Sequence, residues 1–386
     1  MGRLILLKRL PRSAAFFGLL FFCILTLWAP GLWPVALFLF GTFVLGVVEL
    51  VAGTRPHLAV FLLLTLPIWG LFQVWFHWTV YTEPTWEKVL ATLSYACVVF
   101  IVSGIPERGV DRARLAMLWF SFAVAVAAIL QSVSGGGKVF WIFEPADPRG
   151  FLMGPIIYHN HWAAFIEIAL PLAVYYTLRS QSAALWLYST MAAALYASVV
   201  ISASRSGVII CTLELVAVPL LVARRHRMAA GVSRALAPLA GVLLLCTLIV
   251  GPEVVWNRLQ EDPTLGRADW DRSSVAMFRD QKWHGFGLGN WPVAFPHYAT
   301  FDAGVYVNQA HSDWLQWAVE GGVFYVGVFL ALAWIAGRRA WRFPWAAGVP
   351  AVFCQALVDY PFSRPALAAW TFTMFGLALR GKGEGD

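Results

Sequence analysis

Long apolar blocks alternate along the chain with short polar connectors. Twelve blocks stand out, over residues 14–30, 34–52, 57–78, 88–105, 114–133, 160–178, 184–202, 206–223, 234–251, 313–336, 343–360 and 364–380. Each approaches the roughly 20 apolar residues that a helix needs to cross a hydrocarbon core. Helices also satisfy their own backbone there. The pattern therefore predicts an all-α integral membrane protein with about twelve transmembrane helices. Two connectors exceed what a link requires. One, over 134–158, opens with Gly135-Gly136-Gly137 and carries aromatics suited to a membrane interface. The other spans 252–312 and is expected to be a large, partly helical loop. The chain divides accordingly into helices one to nine (1–251), this loop (252–312), and helices ten to twelve with the tail (313–386).

Composition sharpens the class. Of 386 residues, 60% are hydrophobic and 13% charged, against about 45–50% and 25% in soluble domains. An ordinary cytosolic enzyme and a disordered chain are both excluded. A net charge of +7 is compatible with a nucleic-acid partner, yet the charges sit in short runs between apolar blocks, which is a topology signal. With the N-terminus inside, the inner connectors hold 18 of the 28 basic residues, so both termini are expected in the cytoplasm. Cys23, Cys97, Cys211, Cys246 and Cys354 all fall in apolar segments without metal-ligand spacing and read as small hydrophobes. Arg3, Lys8, Arg9 and Arg12 precede an apolar stretch that lacks a small-residue cleavage site, so no cleaved signal peptide is expected.

Three features place chemistry on the outer face. Ser204-Arg205-Ser206-Gly207 lies at the junction of the seventh and eighth blocks, where an arginine either anchors lipid phosphate or binds an anionic ligand. The long loop carries Gly266-Arg267-Ala-Asp269-Trp270-Asp271-Arg272, then Gly285-Phe-Gly287-Leu-Gly289-Asn-Trp291. The alternating glycines read as a tight turn with close packing more than as a phosphate cradle. Asp269-Trp-Asp271 has a spacing that can hold a divalent ion, but with three arginines nearby it reads as a solvated helical turn. Ala310-His311-Ser312-Asp313 closes the loop, followed by Gln316 and Glu320-Gly-Gly322. An imidazole there is the natural general base for a hydroxyl. His159-Asn160-His161 opens the sixth block; two His at i and i+2 diverge on a helix, so a zinc pair is not expected. Glu167, Glu214, Glu320 and Asp359 are costly in hydrocarbon and are expected to face the bundle interior or an interface.

Taken in order, Tyr158-His-Asn-His-Trp-Ala-Ala-Phe, Leu170-Pro-Leu, Ser202-Ala-Ser-Arg205-Ser-Gly, the glycine turn, Phe295-Pro-His-Tyr298 and Ala310-His311-Ser-Asp-Trp-Leu-Gln resemble the O-antigen ligase and O-antigen polymerase superfamily of bacterial envelope proteins. The resemblance covers about residues 150–336; the first five blocks are compatible with it. It implies transfer of a glycan from undecaprenyl pyrophosphate to an acceptor hydroxyl at the periplasmic face of the inner membrane, with no metal or cofactor. The acceptor would be lipid A–core, another glycan or a protein. It further implies His311 as the base, and Arg205 with Arg267 or Arg272 on the pyrophosphate. Asn160, His161, Gly287, Gly289 and Glu320 lie in the same motifs and are expected to support the site. Lys282-Trp283 departs from the family pattern, where proline is commoner, and Ser312 stands where many relatives have Asn; neither change removes a needed charge. A ligase, a polymerase using the same donor, and a secondary transporter remain as readings. The last would show inverted halves and interrupted helices.

Overall fold

The computed structural model describes residues 2–145, 152–226, 240–241, 267–300, 304 and 306–381. The ninth expected span (234–251) and the early part of the long loop (252–266) lie largely outside the described residues.

Twelve α-helices of eight or more residues organise what is described. They are α1 (Gly2–Leu25), α2 (Trp33–Val51), α3 (Leu58–Trp75), α4 (Thr82–Ser103), α5 (Glu107–Ser134), α6 (His159–Arg179), α7 (Ser182–Ser202) and α8 (Arg205–His226), then α9 (Arg267–Asp280) in the loop, and α10 (Asp313–Arg342), α11 (Gly348–Gln355) and α12 (Pro365–Arg380). Among the described residues, eight of these (α2–α8 and α10) are long and apolar enough to cross a membrane. The apolar part of α1 is Arg12–Leu25. The block at 343–360 is not one continuous helix: Pro344 opens a short 3-10 turn, and α11 has eight residues, about 12 Å at 1.5 Å per residue. α12 has 16.

Burial explains the uneven hydrophobicity of the spans. α6 is the least apolar of the eight, and 94% of its central window is enclosed by protein. α2 turns Phe40, Val47, Leu50 and Val51 outward, as a helix facing lipid should. Around α6 pack α5, α7, α8, α11 and α12. Trp162 donates to Ser198 (3.2 Å) and Trp370 to the Phe165 carbonyl (3.1 Å), so both indoles find partners inside an apolar core. Glu167 and Glu214 are buried here, facing the interior as expected. Cys23, Cys97, Cys211 and Cys354 are free thiols.

The long loop builds a small core of its own. Met277, Trp291, Ala294, Phe295, Ala310 and Val319 are buried together, and the Trp291 indole donates to Ser274 (3.0 Å). Gly322 breaks α10 about a third of the way along, at φ 69°, ψ −166°. The carbonyls of Val319 and Glu320 instead accept from the N–H groups of Phe286 (2.9 Å) and Gly287 (3.1 Å). The loop thus replaces the bonds that the break removes. A Cβ on Gly322 would lie 2.4 Å from the Trp283 carbonyl oxygen, and the dihedral alone costs about 1–3 kcal/mol for other residues. Gly322→Ala is therefore expected to lower the thermal midpoint sharply in detergent. Gly327→Ala, where an added Cβ meets nothing within 4 Å, should leave it unchanged.

The three turn glycines pack as closely as their spacing suggested. Gly285 abuts the Glu320 backbone, Gly287 abuts Thr79, and Gly289 abuts Pro84, each at positive φ. Asn290 completes the junction. Its amide donates to Thr79 Oγ1 and the Tyr81 carbonyl, both at 2.9 Å, and its Oδ1 accepts from the Tyr81 N–H at 2.8 Å. Gln73 of α3 adds bonds to the carbonyls of His284 and Glu320. The loop is fastened to the α3–α4 turn.

Candidate functional site at one end of the bundle

The starts of α6, α8, α10 and α12 meet beneath α9. Asp359 sits fully buried at their centre. Its Oδ1 accepts from Asn160 Nδ2 at 3.4 Å, and its Oδ2 lies 3.8 Å from His161 Nε2. Its carbonyl accepts from the Asp313 N–H (2.9 Å). The Asp313 carboxylate in turn accepts from the Phe362 N–H (2.8 Å) and the Ser363 hydroxyl (3.1 Å). This clasp sets the position of Tyr360 between them.

Arg205 joins through its neighbour. Ser204 Oγ accepts from the Gly207 N–H (3.2 Å), a helix cap, and donates to Asn160 Oδ1 (2.7 Å). Ala203 takes a left-handed conformation just before it, turning the chain sharply out of α7. A Cβ on Gly207 would sit 2.2 Å from that of Ala163. The small residues flanking Arg205 thus cap α8 and let it press against α6, leaving Arg205 half-buried.

His311 is held on two sides. Trp270 stacks on its face at 5.0 Å and 21°, and Tyr360 meets it edge-on at 5.1 Å and 85°. Its backbone has φ 55°, an unusual conformation for a non-glycine residue. Ser312 caps α10 immediately after, accepting from the Leu315 N–H (3.3 Å). Burial pushes the His311 imidazole down to about 4, and the nearby positive charge of Arg267 adds to the shift.

The two loop arginines separate cleanly. Arg267 is half-buried and its charge acts on His311, Tyr158 and Asp359. On α9 it is three residues before Trp270, hence on the same face. Arg272 leaves 76% of its side chain in solvent and pairs with Asp269 at 3.2 Å. That pairing also engages the first carboxylate of the Asp269-Trp-Asp271 segment. Glu320, Gly287 and Gly289 lie under the loop: Glu320 accepts from the N–H groups of Gly289 (2.8 Å) and Trp291 (3.4 Å) and from Gln316 (2.9 Å). They shape the cap and do not face His311 directly.

Several buried polar atoms here have no hydrogen-bond partner: Nδ1 of His311, Nε1 of Trp270, Oε1 of Gln309, Nε2 of His161 and Oδ2 of Asp359. Interiors seldom leave such atoms unpaired; others lie deeper in the bundle, Glu167 and Glu214 among them. Sequence reading named Tyr158 only as the start of a motif, passed over Tyr360 and Arg364, and gave Asp359 no role beyond an interior acid. The signal was present in Asp359-Tyr-Pro-Phe-Ser-Arg364, a polar knot between two apolar blocks.

Residues 189–332 match the family model described as O-antigen ligase. The match takes in Arg205, both loop arginines, the glycine turn, His311 and Glu320. Asn160, His161, Asp359 and Arg364 fall outside it. No curated protein matches the chain. The similarity to the O-antigen ligase family thus covers residues 189–332 of the 386 and the loop that caps the site.

Proposed function

We propose that the protein transfers a glycan from undecaprenyl pyrophosphate to an acceptor hydroxyl at the outer face of the bacterial inner membrane, with both termini cytoplasmic. The family supports glycosyl transfer of the ligase or polymerase kind on a lipid-linked glycan, within a multi-pass membrane protein. The observation that carries the finer reading is the stacking of Trp270 on His311, with Arg267 one turn before Trp270 on the same face of α9.

Such a transfer sets two chemical demands. The departing pyrophosphate is a multiply charged anion, and guanidinium groups bind it through charge-assisted, bidentate bonds. In a partly dry cleft those bonds act at reduced dielectric. Arg205 and Arg267 fill that role. The acceptor hydroxyl is a poor nucleophile until its proton leaves, and His311 takes that proton. The acceptor oxygen then bonds to the anomeric carbon as the bond from that carbon to the pyrophosphate oxygen breaks. Undecaprenyl pyrophosphate departs with the electron pair. The acceptor is lipid A–core or another glycan; a polymerase would use a second lipid-linked repeat in the same place.

The transporter reading looks to interrupted helices, and α10 is interrupted. There, however, the loop N–H groups occupy the carbonyls of Val319 and Glu320, which an ion path would need.

The test uses purified protein in liposomes with undecaprenyl-pyrophosphate oligosaccharide, with and without lipid A–core. A single shifted band that requires lipid A–core is the ligase outcome. A ladder without it is the polymerase outcome, and no product in either lane overturns the reading.

The depressed basicity of His311 adds a signature. The imidazole stays neutral, and able to accept a proton, down to about pH 4. Since kcat/KM reports the free enzyme, its acid limb should lie below pH 5. Arg267→Gln should move that limb upward by removing a positive charge. A limb at or above 6.5 in the unmodified protein would count against His311 as the base.

A further inference from the structure

Asp313 is the first residue of α10, two positions after His311. An acid in a first helical turn ordinarily complements the helix dipole from the surface. This one is 0% exposed. α10 already has its cap in Ser312, which accepts from the Leu315 N–H. Enclosing a carboxyl group is costly unless its oxygens are bonded, so a cap or dipole role does not account for the burial.

Its bonds point across the bundle instead. Oδ2 accepts from the Phe362 N–H (2.8 Å) and Oδ1 from the Ser363 hydroxyl (3.1 Å). The Asp313 N–H donates to the Asp359 carbonyl (2.9 Å). Three bonds from one residue therefore span 359–363, and Tyr360, whose ring meets His311 edge-on, lies inside that span. The Tyr95 hydroxyl of α4 holds the Phe362 carbonyl from the other side (3.2 Å). Upstream of His311, the Ala310 N–H donates to Gln316 Oε1 (3.3 Å). His311, at φ 55°, thus sits between two anchored peptides. A non-glycine residue keeps such a conformation only where its surroundings over-determine it, and Asp313 supplies the downstream half of that constraint.

We propose that Asp313 is a positioning residue for the transfer. It ties the start of α10 to the 359–363 turn, fixing both the backbone at His311 and the Tyr360 ring against which the imidazole rests. This role rests on the reading of His311 as the base. It requires the shape and acceptors of the carboxylate, and no proton passes through it.

The test measures transfer kinetics in liposomes with lipid-linked donor and lipid A–core, in single variants and in the His311→Ala background. Asp313→Ala should lower kcat about 10- to 100-fold, the scale of a misplaced reacting group, with KM for the donor unchanged. Asp313→Asn should stay within about threefold of the parent, since its carbonyl accepts from the Phe362 N–H and its amide donates to Ser363. In the His311→Ala protein, Asp313→Ala should cost less than about threefold, because an absent base cannot be misplaced. Ser363→Ala is the gentler variant, keeping the thermal midpoint if Asp313→Ala does not. It should lower kcat severalfold, and that loss too should vanish without His311. Equal losses in Asp313→Asn and Asp313→Ala would overturn the proposal, since the charge would then be the requirement. So would losses of the same factor with and without His311, which mark a general effect on the fold. Full transfer by His311→Ala alone would instead remove the base reading, and the positioning role with it.

Discussion

Replacing His311 by alanine is expected to cut the transfer rate about 10²–10⁴-fold, the usual contribution of a positioned general base. Binding of the lipid-linked donor should hardly change, because the pyrophosphate is assigned to arginines on neighbouring elements. The loss should therefore appear in kcat, measured as product formed in liposomes at saturating donor. The side chain also packs between Trp270 and Tyr360, so truncation could in principle loosen the cap. His311→Gln keeps most of that volume and removes the base; it should be as inactive as alanine while matching the parent in thermal midpoint. If either variant retained full transfer, His311 would not be the base.

The second large effect is a contrast between two arginines five residues apart. Arg267→Ala is expected to lower kcat about 10²–10³-fold, the scale found when one preorganised donor to a developing anion is removed. Arg272→Ala should change it less than about threefold, since an exposed ion pair contributes little. Arg267→Lys should recover only part of the rate, because an ammonium cannot bind two phosphate oxygens in a planar fork. Steady-state kinetics on the three variants decides the matter. Equal losses at both arginines would mean that α9 shifts when substrate binds.

That contrast shows where sequence reading stops. Apolar block length is a one-dimensional quantity; it located α2 to α8 and α10, but missed the polar first turns of α4 and α5 and the basic last turn of α10 by six or seven residues. It failed at 343–360 because a helix buried in protein and one facing lipid are equally apolar. There, Pro344 and the enclosed, short α11 give the answer only in three dimensions. Likewise, Arg205 and His311 stood out by position, at boundaries where charge is costly. Choosing Arg267 over Arg272 needed the face of α9 that meets His311, and no spacing along the chain contains that. Tyr360 and Arg364 were hidden for the same reason, since an aromatic residue near a span boundary usually marks nothing more than the membrane interface.

The fastening of the glycine turn to the α3–α4 turn bears on how the molecule is made. Asn290 and Tyr81 are 209 residues apart in the chain. At synthesis rates of about 5–20 residues per second, the α3–α4 turn is made about 10–40 seconds before its partner exists. During that interval the Tyr81 N–H lacks its acceptor, while the Tyr81 carbonyl and the Thr79 and Thr85 hydroxyls can bond one another. The cap over the site then closes as one of the last events of membrane insertion, after α10 has arrived to hold the loop. A nascent chain halted before Asn290 would hold its first spans in the bilayer with this end of the bundle still uncapped. Protease protection of the loop, followed against chain length, should therefore rise in a single late step.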